Sequence, residues 1–173
     1  MFRRTTLTIT AALILLLSCC LFAQSAKELK PVGYVNDFAG VIDGDSIKKL
    51  NDLCLQLNQK TQTKIAVVTI HSLDGANLEE YATQLFNQWG VGHKSTNRGV
   101  LILLSIQDRR YRIEVGKGLD TVISNEKTAD IGLQAVPLLK QSQYGAAIEL
   151  MIRRIAETIT SDSKDALQEA LKH

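Results

Sequence analysis

The chain has 173 residues, 45% of them hydrophobic and 22% charged, with a formal net charge of +2. Arg3 and Arg4 lie in the first few residues, and without them the chain carries 18 basic and 18 acidic residues. A balanced chain of this size suits one domain with a sizeable core, and it excludes the basic stripe of a nucleic-acid binder and a polybasic hold on anionic lipid.

The first 25 residues have the order of a secretory signal peptide: Arg3 and Arg4, an apolar run centred on Leu7–Leu17, then small residues, with Ala23-Gln24-Ser25 as the cleavage triplet. The run is short for a membrane span, which takes about 20 apolar residues. A rival reading takes Leu16-Leu17-Ser18-Cys19 as a lipoprotein signal, with Cys19 as a lipid anchor. Both readings place the mature chain outside the cytoplasm, in the periplasm or cell envelope, without a transmembrane helix. Residues 26–31 then read as a linker, 32–160 as the domain and 161–173 as a polar helix or tail. With Cys19 and Cys20 in the signal, Cys54 is the one thiol left, so a disulfide framework is excluded. Its neighbours Leu53, Leu55 and Leu57 make it a small buried hydrophobe rather than a nucleophile.

Residues 31–46, "PVGYVNDFAGVIDGDS", read as an extended lead-in whose last acids can cap a helix. Ile47, Leu50, Leu53, Cys54 and Leu57 recur at helical spacing and predict a helix near residues 45–60. "KIAVVTIH" (residues 64–71) is a buried strand. Asn77 with Glu80 resembles a capping box, opening a helix that stops at Gly90. "VLILLSI" (100–106) is apolar on both faces, as a central strand must be, and "YRIEV" (111–115) alternates. Ser124 can cap a third helix that Pro137 ends or bends, and Tyr144 to Ile159 carry a fourth amphipathic pattern.

One crossover helix joins residues 71 and 100, so the strands on either side of it should be parallel. The expected fold is a Rossmann-like three-layer α/β/α sandwich, with a short mixed sheet holding a parallel pair and a hairpin on its C-terminal side. The carboxyl ends of the parallel strands then share a rim with the loop at residues 72–75 and the tip Gln107-Asp108-Arg109-Arg110, and open α/β sheets bind ligands at that edge. Oxygens converging from separate loops are what a hard cation such as calcium requires. Asp43, Asp45 and Asp74 read as caps and turn residues. Asp37, set among apolar neighbours before any helix needs a cap, and Asp108 at the tip are the candidate ligands. At the opposite end, Gly116-x-Gly118 is weak as a phosphate loop and reads mainly as close packing. His71, His93 and His173 show no metal spacing, and no Gly-x-Ser-x-Gly elbow occurs.

The stretches "VNDFAGVID", residues 64–120 and "QSQYGAAI" resemble the TPM domain family, which includes bacterial envelope proteins, a thylakoid-lumen protein of plants linked to photosystem II repair, and a nematode receptor accessory protein. The most specific segments are N-D-x-A-G, W-G-x-G leading to N-x-G-V-L, and D-R-R leading to E-V-G-x-G-L-D. The resemblance implies the sandwich fold and a divalent cation, calcium, at an acidic site with Asp37, Asp108 and Asp120 on motif positions. In some members it implies acid-phosphatase activity, for which Asp108 and Arg109 would be the catalytic pair. Asp120 stands where glutamate is usual, Lys117 where an aromatic is common, and Asn125 where many members have an acid. The function expected is an exported, cation-binding accessory module for another envelope protein, with metal-dependent phosphomonoester hydrolysis as the alternative.

Overall fold

The computed structural model describes residues 29–170; the expected signal peptide and Cys19 lie outside them. Four strands, β1 (Val35–Asp37), β2 (Lys64–Ile70), β3 (Gly99–Ser105) and β4 (Arg110–Val115), form one sheet in sequence order. Helices α1 (Gly44–Thr61), α2 (Leu78–Trp89), α3 (Asn125–Lys140) and α4 (Tyr144–Ala170) cover it, and a short 3-10 turn spans Lys117–Leu119. β1 and β3 each pair parallel with β2, and β4 returns antiparallel to β3, from Ser105↔Arg110 to Val100↔Val115. The parallel pair and the hairpin are as expected.

β3 is buried along its whole length because both of its faces are covered. Ile65, Val67, Val100, Ile102 and Leu104 face one cluster, shared with Leu50 and Cys54 of α1, Ile131 of α3, and Ile148, Met151 and Ile155 of α4. Ala66, Val68, Ile70, Leu101 and Leu103 face the other, which α2 fills with Leu78, Tyr81, Ala82 and Leu85. This alternation makes the molecule three layers. Each helix starts on a side-chain cap or stops on a left-handed residue where the sequence provides one. Asp43, Asn77 and Ser124 accept from the first-turn amides of α1, α2 and α3, and Gly90 (φ 56°) ends α2.

The structure refines the sequence reading at three places. The lead-in contributes a strand, β1, held in part by the fully buried Asn36, whose amide donates to the carbonyls of Gly33 (3.1 Å) and Val67 (3.2 Å). Pro137 does not stop α3: Leu133, whose carbonyl loses its amide partner to proline, is 63% exposed, so water can take the place of that bond. The polar stretch after residue 160 continues α4 without a break through Ala170.

The lower loops, at the amino ends of β2 and β3, pack backbone to backbone. A Cβ on Gly118 would stand 1.9 Å from the Thr96 carbonyl oxygen, and one on Gly116 would stand 2.4 Å from that of Asn97. The Gly-x-Gly segment is therefore a packing device. Gly118→Ala should destabilise the fold by about 1–3 kcal/mol through overpacking. Gly44→Ala, with open space around its Cβ, should be neutral or mildly stabilising; urea midpoints of the two variants check the contrast.

Candidate functional site

The parallel register fixes an upper rim. β1 ends at Asp37 beside Thr69, and β2 ends at Ile70 beside Ser105. The tip prolongs this ladder: Ile106 and Gln107 donate their amides to the carbonyls of Ile70 (3.0 Å) and His71 (2.9 Å). Arg109 then takes the left-handed conformation (φ 53°) that turns the chain into β4.

Asp37 and Asp108 both stand on this rim, and each works as a clasp. Asp37 accepts from the amides of Val41 (3.2 Å) and Ile42 (2.8 Å) and from the Thr69 hydroxyl, so it closes the loop from β1 to α1, where Gly40 (φ 64°) makes the turn. Asp108 accepts at Oδ2 from the Leu73 amide (2.7 Å), the Ser105 hydroxyl (2.5 Å) and, at 3.4 Å, the Ser72 hydroxyl. It ties the hairpin tip to the loop after β2. The Ser105 hydroxyl, then the Leu73 amide, the Ser72 hydroxyl and the Arg110 charge hold its carboxyl below the ordinary value of 3.8.

The two clasps are turned apart. Thr69, the partner of Asp37, alternates with Ile65 and Val67 and belongs to the α1 and α4 face. Ser105, the partner of Asp108, alternates with Leu101 and Leu103 and belongs to the α2 face. Strand β2 also lies between β1 and β3, a separation of about 10 Å. Asp120 follows the 3-10 turn at the lower end of the sheet. Asp37, Asp108 and Asp120 thus share no single cation site, and among the described residues no group of three or more His, Cys, Asp or Glu side chains could hold a metal ion. Asp74 stands on the loop whose Ser72 and Leu73 bond Asp108. Asp74 (φ 50°) donates its amide to the Ser72 hydroxyl (2.9 Å), and its charge raises the hydroxyl pKa of Tyr81 behind the burial of that ring. The sequence places Asp74 on the rim loop at residues 72–75 and reads it as a turn residue. Asn125 opens α3 on an exposed surface.

The remaining candidates are structural. Cys54 is fully buried, and burial pushes its thiol up to about 12. His93 bonds Asn58 (2.9 Å), which in turn donates to the Tyr34 hydroxyl. Trp89 donates its indole N–H to the Leu29 carbonyl (2.9 Å).

Among known proteins, the model of the TPM domain matches residues 35–158. Solved structures give the same architecture. The N-terminal domain of a P. gingivalis protein is 25% identical with a TM-score of 0.69, covering 75% of this chain and 83% of that one. The N-terminal domain of a Corynebacterium glutamicum protein (19% identity, TM-score 0.61) has the same coverage. A protein from Bizionia argentinensis (17% identity, TM-score 0.62) covers 69% of this chain and 82% of its own. No curated protein matches.

Removing the clasps should have separable effects. Asp37→Ala leaves the Val41 and Ile42 amides without their acceptor and should cost about 1–3 kcal/mol. For Asp108 the folded pKa is depressed, so its contribution is complete above 3.8 and is lost as pH falls through the lower folded value. The Tm gap between wild type and Asp108→Ala should therefore be widest above that pH and narrow below it, which thermal unfolding across a pH series measures.

Proposed function

Because the chain belongs to the TPM domain family, we propose that it is an exported accessory module that binds a divalent cation, calcium by its preference for oxygen ligands, and acts with another protein of the cell envelope. The observation that supports this reading is the state of Asp108. Its carboxyl is exposed and kept ionised, and all three bonds it accepts fall on Oδ2, so Oδ1 is the oxygen a cation would take. Asp74 on the adjoining loop is the second acid available; Asp37 is committed to its own loop through both oxygens. Calcium takes 6–8 oxygens, so backbone carbonyls and water would complete the shell, and a site with so few carboxylates belongs in the weak range of about 10⁻⁴–10⁻³ M. Export rests on the sequence of the first 25 residues. Among the described residues no helix is long and apolar enough to cross a membrane.

The alternative, metal-dependent hydrolysis of phosphomonoesters with Asp108 and Arg109 at the reacting centre, has one observation in its favour: Arg109 lines a cavity at the same rim. Against it, a carboxyl held below its ordinary pKa has no proton to give a leaving group near neutral pH. Cys54 is too buried to act as nucleophile.

Calcium at about 100 times its dissociation constant should raise stability by about 2.7 kcal/mol. Asp108→Asn, which keeps an acceptor for the Leu73 amide but removes the charge, should abolish the calcium-dependent rise in Tm, whereas Asp37→Ala should retain it from a lower baseline. A wild-type Tm indifferent to millimolar calcium would sink the cation reading. Release of phosphate from an aryl phosphate that needs metal and disappears in Asp108→Asn would favour the hydrolase instead.

A further inference from the structure

A cavity of about 630 Å³ opens on the upper rim between the hairpin tip and the turn from α3 to α4. Its volume lies within the roughly 300–1,000 Å³ of small-molecule sites. Two chemistries meet in it. Ile106, Val136 and Leu139 supply apolar wall, and the rings of Tyr111 and Tyr144 close the sides. Arg109, Arg110 and Lys140 also line it, all three exposed.

Those cations are not used up internally. The ion pairs among the described residues engage Lys49, Arg112, Arg153 and Arg154. Arg110 lies close enough to Asp108 to help keep it ionised, but Arg109 and Lys140 have no acidic partner among the described residues. No Asp or Glu lines the cavity. Positive charge beside an apolar, aromatic-lined hollow without a carboxylate of its own favours the entry of an anion with an apolar body.

Helix α3 makes room for one of these tyrosine rings. A Cβ on Gly132 would stand 2.2 Å from the Tyr111 ring and 2.5 Å from its hydroxyl oxygen. The missing side chain on α3 is therefore the berth in which that ring lies, at one wall of the cavity.

We propose that this cavity binds a small amphiphilic organic anion, with a carboxylate head held by Arg109, Arg110 and Lys140 and an apolar or aromatic body against Ile106, Val136, Leu139 and the two tyrosines. Arginine meets a carboxylate through paired N–H donors, and Lys140 adds a point charge from the facing helix end. The site requires no cation and stands independently of the calcium reading.

The test is an amide NMR titration of the mature protein in chelator-treated buffer with octanoate, and with acetate, octan-1-ol and octyl phosphate as comparison probes. Octanoate should shift amides of residues 104–111 and 136–144 and bind roughly tenfold or more tightly than acetate or octanol. Arg109→Gln combined with Lys140→Gln, both exposed, should weaken octanoate at least about tenfold while leaving Tm near wild type. Gly132→Ala, which drives the Tyr111 ring from its berth, should also weaken it. The proposal is overturned if octanol binds as tightly as octanoate, if acetate does, if the double variant binds octanoate unchanged, or if shifts fall elsewhere. Octyl phosphate binding far more tightly than octanoate would replace the carboxylate head with a phosphate one.

Discussion

The parallel ladder between β2 and β3 is the constraint on which the molecule depends. Seven residues of each strand pair in one register, and both strands are sealed by helices on both faces. Shifting β3 by one residue against β2 would turn Val100, Ile102 and Leu104 to the wrong layer, a change the two separate clusters forbid. Because the ladder runs one way, the loop after each strand emerges at the same edge. Everything chemically interesting about the protein follows from that: the Asp108 clasp, the Asp74 loop and the cationic cavity are neighbours only through it.

At this rim, carboxylates serve first as structural acceptors. Asp37 gathers two amides and a hydroxyl, and Asp108 gathers one amide and two hydroxyls. Loops that leave a buried sheet cannot carry unpaired amides without a penalty, so an acid at each exit stabilises the turn. The segments most characteristic of the family have the same physical basis. In N-D-x-A-G, Asn36 bonds the neighbouring strand and the lead-in, Asp37 closes the loop, and Gly40 makes the turn. The lower glycines let the loop at residues 91–99 touch the end of the hairpin, backbone to backbone.

Much of this was legible in the sequence, and the failures have identifiable causes. Long periodic segments, caps and the glycine stop at Gly90 were readable because each expresses a local preference. β1 was missed because it has three residues, two of them polar, and its order comes from Asn36 and Thr69 rather than from alternation. Whether Pro137 ends or only bends α3 was left open because a proline's cost depends on whether water reaches the abandoned carbonyl, which a sequence does not state. Sharing a rim was correctly inferred for Asp37 and Asp108, but strand parity, which turns their partners Thr69 and Ser105 to opposite faces, decides what they can jointly hold. The cavity was invisible because its walls come from segments about 30 residues apart that only the packing of α3 and α4 against the hairpin brings together.

Leu29, the first described residue, is buried, and its carbonyl receives the Trp89 indole at the carboxyl end of α2. That end of the helix points away from the loop at residues 72–75. Leu29 is therefore fastened at the pole opposite the rim. Were the protein held to a surface at this pole, it would stand like a cup on its base, with its charged mouth turned outward to whatever passes.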